Sequence, residues 1–130
     1  MIALLPAYNA TKVCSSALAL ALNFVVSIST DTPTQGQNVT TTFDFDLTDA
    51  IPSGTAYYSA TLNGLGPFTS QAALCDETAK SGDPCPMAAG HHNQQSTTEN
   101  TVSGKVVTTL TWYDQDDNGV LCAILTTKSS

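Results

Sequence analysis

Asn38-Val39-Thr40-Thr41-Thr42-Phe43-Asp44-Phe45-Asp46-Leu47-Thr48 alternates with a period of two. Val39, Thr41, Phe43, Phe45 and Leu47 share one parity, and the residues between them are polar. A strand with one face in a core and the other in water produces this pattern. Ala17–Ser29 repeats it, with Leu18, Leu20, Leu22, Phe24, Val26 and Ile28 on one parity. Thr55–Leu62 aligns Ala56, Tyr58, Ala60 and Leu62, and Lys105–Tyr113 aligns Val106, Thr108, Leu110 and Trp112. Leu65–Ala73 is a weaker strand candidate, and Val120–Thr127 is a last strand, apolar on both faces. Thr32–Gly36, Ile51–Gly54, Asn63-Gly64 and Asp114–Gly119 are turn signals between them. Cys75–Gly90 reads as loop, and His91–Asn100 is polar with no readable period. No segment has a helical period. About seven short strands separated by turns predict an all-β sandwich. With no internal repeat and no linker, residues 1–130 read as a single domain.

Composition narrows the function. Charged residues are 12% of the chain, about half the usual share, and the formal net charge is −7. Four lysines and no arginine cannot build a surface that tracks phosphates, so nucleic acid is not an expected partner. No apolar run reaches the ~20 residues of a transmembrane helix. The first eight residues are too short for a full signal peptide. A rival reading places an apolar signal core at Ala17–Val26, but the alternation there favours a strand, so the start reads as a mature or truncated N-terminus. The sequons at Asn9 and Asn38 are glycan acceptors if the chain is secreted. Cys14, Cys75, Cys85 and Cys122 are an even set that suggests disulfides, with three pairings open.

The polar clusters point away from catalysis. Asp114, Asp116, Asn118 and Gly119 imitate the start of an EF-hand loop, but Leu125 stands where that loop needs its bidentate Glu. The expectation is a hairpin turn carrying Asx residues. His91 and His92 are adjacent and face opposite sides of any strand, so they share a metal poorly; a loop or strand end that gains charge below pH 6 is expected there. No nucleophile–base–acid set, phosphate loop or metal set stands at useful spacing, so neither enzymatic activity nor a metal or other cofactor is expected.

A series of motifs runs through both halves: Cys75, Asp83-Pro84-Cys85-Pro86-Met87-Ala88-Ala89-Gly90, Ser103-Gly104-Lys105, Thr111-Trp112-Tyr113-Asp114-Gln115-Asp116 and Leu121-Cys122-Ala123, preceded by Cys14, Thr32–Gly36, Phe43–Thr48 and Leu62-Asn63-Gly64. The series resembles the ML (lipid-recognition) domain family over nearly the whole chain. The resemblance implies an immunoglobulin-like sandwich of two antiparallel sheets with an apolar cavity between them. It implies that Cys14 pairs with Cys122 and Cys75 with Cys85. Two departures bear on sterol specificity: no cysteines serve the extra disulfide of the animal sterol binders, and Glu99-Asn100-Thr101-Val102 replaces an aromatic-Pro element. The expected lipid-binding residues, lining the cavity or its mouth, are Phe24, Phe43, Phe45, Tyr58, Leu62, Phe68, Val106, Leu110 and Trp112.

The reading that follows is a monomeric lipid carrier of the secreted or endolysosomal space. It would hold a sterol or phospholipid, touch membranes transiently and hand its lipid to a bilayer or a membrane-protein acceptor. The alternative is a secreted β-sandwich recognition module with a filled core, binding a protein or glycan through its loops.

Overall fold

A computed structural model describes residues 11–129; the Asn9 sequon and the first eight residues lie outside them. The elements run β1 (Thr11–Val13), β2 (Leu22–Ile28), β3 (Asn38–Leu47), β4 (Gly54–Leu62), β5 (Leu65–Ala73), α1 (Leu74–Lys80), β6 (Gly90–Glu99), β7 (Gly104–Asp114) and β8 (Gly119–Ser129). They form a five-stranded sheet in the order β1-β8-β7-β4-β5 and a three-stranded sheet in the order β2-β3-β6. Every pairing is antiparallel. The expected all-β sandwich of two antiparallel sheets is therefore the fold, with eight strands among the described residues.

Alternation locates the core for most strands. Phe43, Phe45 and Leu47 of β3 face Ala56 of β4, Leu110 and Trp112 of β7, and Leu121 and Ala123 of β8, all buried. Aromatic contacts knit the sheets: ring centroids lie 5.4 Å apart for the tilted pair Phe43–Trp112 and 6.3 Å for the edge-on pair Phe45–Trp112, while Phe24 packs edge-on against Phe45 within the smaller sheet.

Three sequence readings are corrected. The strand expected over Ala17–Ser29 begins only at Leu22, and its parity slips at a bulge between Leu22 and Val25, where Asn23 takes a left-handed φ of 56°. One extra residue sends the side chains before it to the other face. Leu22 therefore lies opposite outward-facing Asp46, and Leu18, outside any strand, is 90% exposed. The loop expected over Cys75–Gly90 starts as a helix: Leu74 and Thr78, four apart, are its buried pair, with Asp76 and Glu77 in the first turn and Lys80 in the last. Its seven residues are too few to establish a helical period in sequence. The unreadable stretch His91–Asn100 is, up to Glu99, part of strand β6, which pairs with β3 along its whole length.

Both disulfides implied by the resemblance are present. Cys14–Cys122 ties β1 to β8, and Cys75–Cys85 ties α1 to the segment before β6. Asp114–Gly119 is the Asx turn expected of it. The Asp114 carboxylate accepts from the backbone N–H groups of Asp116 and Asn118, both at 2.9 Å. Burial pushes that carboxyl up, and these hydrogen bonds outweigh it and hold it below the ordinary range.

Candidate functional site

The sandwich is filled around Phe45 and hollow toward the start of β3, and a separate hollow of about 230 Å³ lies beyond the filled part among Leu20, Leu47, Ile51 and Asp114. In the filled part Phe45, Leu74, Met87 and Leu121 are essentially without solvent contact. Toward the start of β3 the inward positions shrink to Thr41 and Val39 on β3, Thr108 and Val106 on β7, and Ser96 and Thr98 on β6. Two adjoining cavities occupy this half. The first, about 210 Å³, is lined by Phe43, Tyr58, Leu110, Trp112 and Leu125, by Gln94 and Ser96 of β6, and by Glu77 and Lys80 of α1. The second, about 220 Å³, continues past Ile28, Val39, Val106 and Val102. Thr41, Thr98 and Leu125 border both, so the two hollows adjoin along a passage between the sheets that these side chains narrow. Together they enter the ~300–1,000 Å³ range of small-molecule pockets. Two wider hollows, about 410 and 390 Å³, are open troughs on the outer face around Tyr57 and Thr111.

The expected lining residues divide into two groups. Phe43, Tyr58, Leu110, Trp112 and Val106 line the passage. Phe45 lies below it, fully buried and stacked on His92 at 5.3 Å. Phe24 packs edge-on against Phe43 and Phe45 from β2. Leu62 sits on the inward parity of β4 but lines neither cavity. Phe68 pairs with Ala60 on the same face, but it belongs to edge strand β5 and stands 63% exposed. On β3, β4 and β7 these residues keep the common parity that the alternation marks, whereas Phe68 is expected at the mouth from its place after the Asn63-Gly64 turn and not from parity. What parity could not give was how far each strand extends beyond the facing sheet.

The polar wall went unread in the sequence. It comes from β6 and α1, where no hydrophobic alternation marks a lining position. Around Tyr58 the polar groups satisfy one another. The Tyr58 hydroxyl donates to Glu77 Oε1 at 2.5 Å, and Lys80 Nζ donates to Glu77 Oε2 at 3.1 Å. Burial, then the Glu77 carboxylate, push the Tyr58 phenol well above its usual value. The Trp112 N–H opposes that rise weakly, without the geometry of a hydrogen bond.

The two histidines face opposite sides of β6, as adjacent strand residues must. His92 is buried, with Nδ1 2.6 Å from Asp83 Oδ2 and Nε2 2.6 Å from the Ala88 carbonyl. His91 lies on the outer face, with Nδ1 2.7 Å from Asp46 and Nε2 3.2 Å from Asp44. Among the described residues no group of three or more His, Cys, Asp or Glu is placed to hold a metal ion. The hydrogen bond to Asp46, then the Asp44 charge, raise His91 above its ordinary 6.5. Asp46 is held below 3.8, first by Asn23 and then by His91. The His91 contribution to stability is full below about 6.5 and fades as pH rises through the raised value. The Asp46 contribution holds above 3.8 and fades as pH falls through the lowered value. The pair is therefore complete in mild acid. An NMR titration of the His91 ring is expected to show a midpoint above 6.5 that returns to it in Asp44→Asn/Asp46→Asn; an unshifted wild-type midpoint would contradict the pairing.

The family model of the ML domain matches residues 9–128. The chain belongs to the ML domain family. No curated protein sequence matches it. Among solved structures it is similar to a Niemann-Pick type C2 protein from the Japanese carpenter ant, with a TM-score of 0.64 at 13% identity, covering 92% of this chain and 98% of that one. It is also similar to chicken MD-1 complexed with lipid IVa, with a TM-score of 0.64 at 18% identity, covering 91% and 86%. At these identities the likeness speaks for the fold, and the hollow of this ML domain stands on its own side chains.

Proposed function

We propose that this ML domain protein is a non-enzymatic lipid carrier that holds an acyl chain or sterol body in the passage between its sheets and exchanges it with membranes. The observation that carries the reading is the hollow half of the sandwich. Phe43, Leu110, Trp112, Val106 and Leu125 turn apolar surface toward space that a packed core would fill. Each methylene moved there from water gains ~0.8 kcal/mol. The lipid in the chicken MD-1 structure supports the reading. So do the two disulfides, which persist in oxidising compartments and fit a secreted or endolysosomal protein.

Native mass spectrometry of the protein purified from cells under mild conditions tests it. A co-purifying mass in the lipid range is expected, and the same mass should be found after organic extraction. Protein that carries no lipid and takes none up from vesicles would favour a recognition module acting through its loops. Charge bears on delivery: at −7 the protein is repelled by anionic bilayers, and protonation of carboxylates and His91 in an acidic lumen lowers that repulsion. Transfer to anionic vesicles is expected to be faster at pH 5 than at pH 7; equal or slower transfer at pH 5 would remove the electrostatic part of the account.

A further inference from the structure

Two polar atoms in the wall of the passage have no partner. Gln94 is 2% exposed and Trp112 is 4% exposed, and both line the first cavity. Gln94 Oε1 and Trp112 Nε1 are the buried side-chain nitrogen and oxygen atoms without a hydrogen bond among the described residues. Such atoms are rare in a folded interior because each has given up water for nothing.

The orientation of the Gln94 amide is fixed from behind. Its Nε2 donates to Asp83 Oδ2 at 2.7 Å and lies 3.4 Å from Met87 Sδ. The same Asp83 oxygen is 2.6 Å from His92 Nδ1. Rotating the amide would bring an oxygen against a carboxylate, so Oε1 stays as an unpaired acceptor. The Trp112 N–H can only donate. Tyr58 and Lys80 take up the two Glu77 oxygens, and the Thr41, Ser96 and Thr98 hydroxyls on the same wall rotate to donate or accept alike and so select neither kind of ligand. The buried groups of fixed orientation left unpaired in the wall are thus one acceptor and one donor, on opposite sheets, each packed against Phe43: Gln94 is its register partner, and the Trp112 ring centroid is 5.4 Å away.

We propose that the ligand is an apolar alcohol whose hydroxyl lies inside the passage, donating to Gln94 Oε1 and accepting from the Trp112 indole N–H. The proposal rests on the lipid-carrier reading and names its ligand class. A hydroxyl both donates and accepts, which the pair requires. An ester, ether or ketone can only accept and leaves Gln94 unanswered. An ionised carboxylate or phosphate also lacks a proton to give, and it would sit near Asp83 and Glu77 with Lys80 already paired. A charged headgroup therefore stays outside, and the neutral hydroxyl goes in. A site built to pair a hydroxyl rejects an isostere that leaves its polar groups unpaired.

The test uses lipid-stripped wild-type protein and two probes of similar length, hexadecan-1-ol and 1-methoxyhexadecane. Trp112 is the only tryptophan in the chain, so its emission follows both titrations. The alcohol is expected to bind about tenfold or more tightly than the ether. In Gln94→Met that preference should fall to about one while ether binding stays within about twofold. Equal binding of both probes by the wild type would overturn the proposal, with water serving the pair, and leave the carrier reading standing. Binding of neither probe would overturn both. The wild-type comparison decides without the variant, so a Gln94→Met protein that fails to fold does not blunt the test.

Discussion

Replacing Cys14 and Cys122 together by Ala is expected to lower unfolding free energy by about 4–5 kcal/mol. The bond closes a loop with a sequence separation of 108, and the chain-entropy estimate for such a loop is of that size. The native contacts cannot replace it. Among the described residues, β1 pairs with β8 at Thr11, Lys12 and Val13 before Cys14. The partner bond, Cys75–Cys85, closes a separation of 10 and is expected to contribute about 3 kcal/mol. Urea unfolding of the two Ala pairs under identical conditions checks the ordering. A Cys14/Cys122 pair that costs less than the Cys75/Cys85 pair would show that the long loop is already closed in the unfolded chain.

The second large effect concerns binding. Leu125 borders both cavities, where the passage has to stay continuous. Leu125→Trp is expected to weaken lipid binding at least about a hundredfold. Excluding about four methylenes at ~0.8 kcal/mol each costs about 3 kcal/mol, and each 1.4 kcal/mol is a factor of ten. The fold should survive, because the added ring fills space rather than displacing packed atoms, with a cost inside the ~1–3 kcal/mol of overpacking. Bound lipid counted by native mass spectrometry, beside a urea titration of the same variant, separates the two effects. Full lipid occupancy in Leu125→Trp would place the ligand elsewhere on the molecule.

The contrast with Phe45 shows why such variants have to be chosen from geometry. Phe45 has the same parity as Phe43 and reads identically in the sequence. It is nevertheless fully buried against Phe24, His92 and Trp112, so Phe45→Asp would test folding and say nothing of binding. Strand parity told inside from outside for β3, β4 and β7 because their inner faces meet apolar neighbours. It failed at Leu22, because a bulge inverts faces without changing composition. It also failed across β6, for a reason tied to the site. His92, Gln94, Ser96 and Thr98 point inward, but they face the half-buried Asp83 carboxylate or a hollow, so nothing selects apolar residues there. A strand that walls a cavity with polar groups carries no hydrophobic period. Helix α1 was hidden by its length, although its charged ends follow the helix dipole.

The central claim is that an apolar ligand lies between the sheets against Trp112. Contact quenching by a brominated acyl lipid tests it most directly, since bromine quenches indole emission only at close range and the chain has one tryptophan. Protein loaded with a lipid brominated midway along its chain should lose most of its emission, while the unbrominated lipid, bound to the same occupancy, leaves it bright. Undiminished emission at full occupancy would mean that the lipid binds outside the passage.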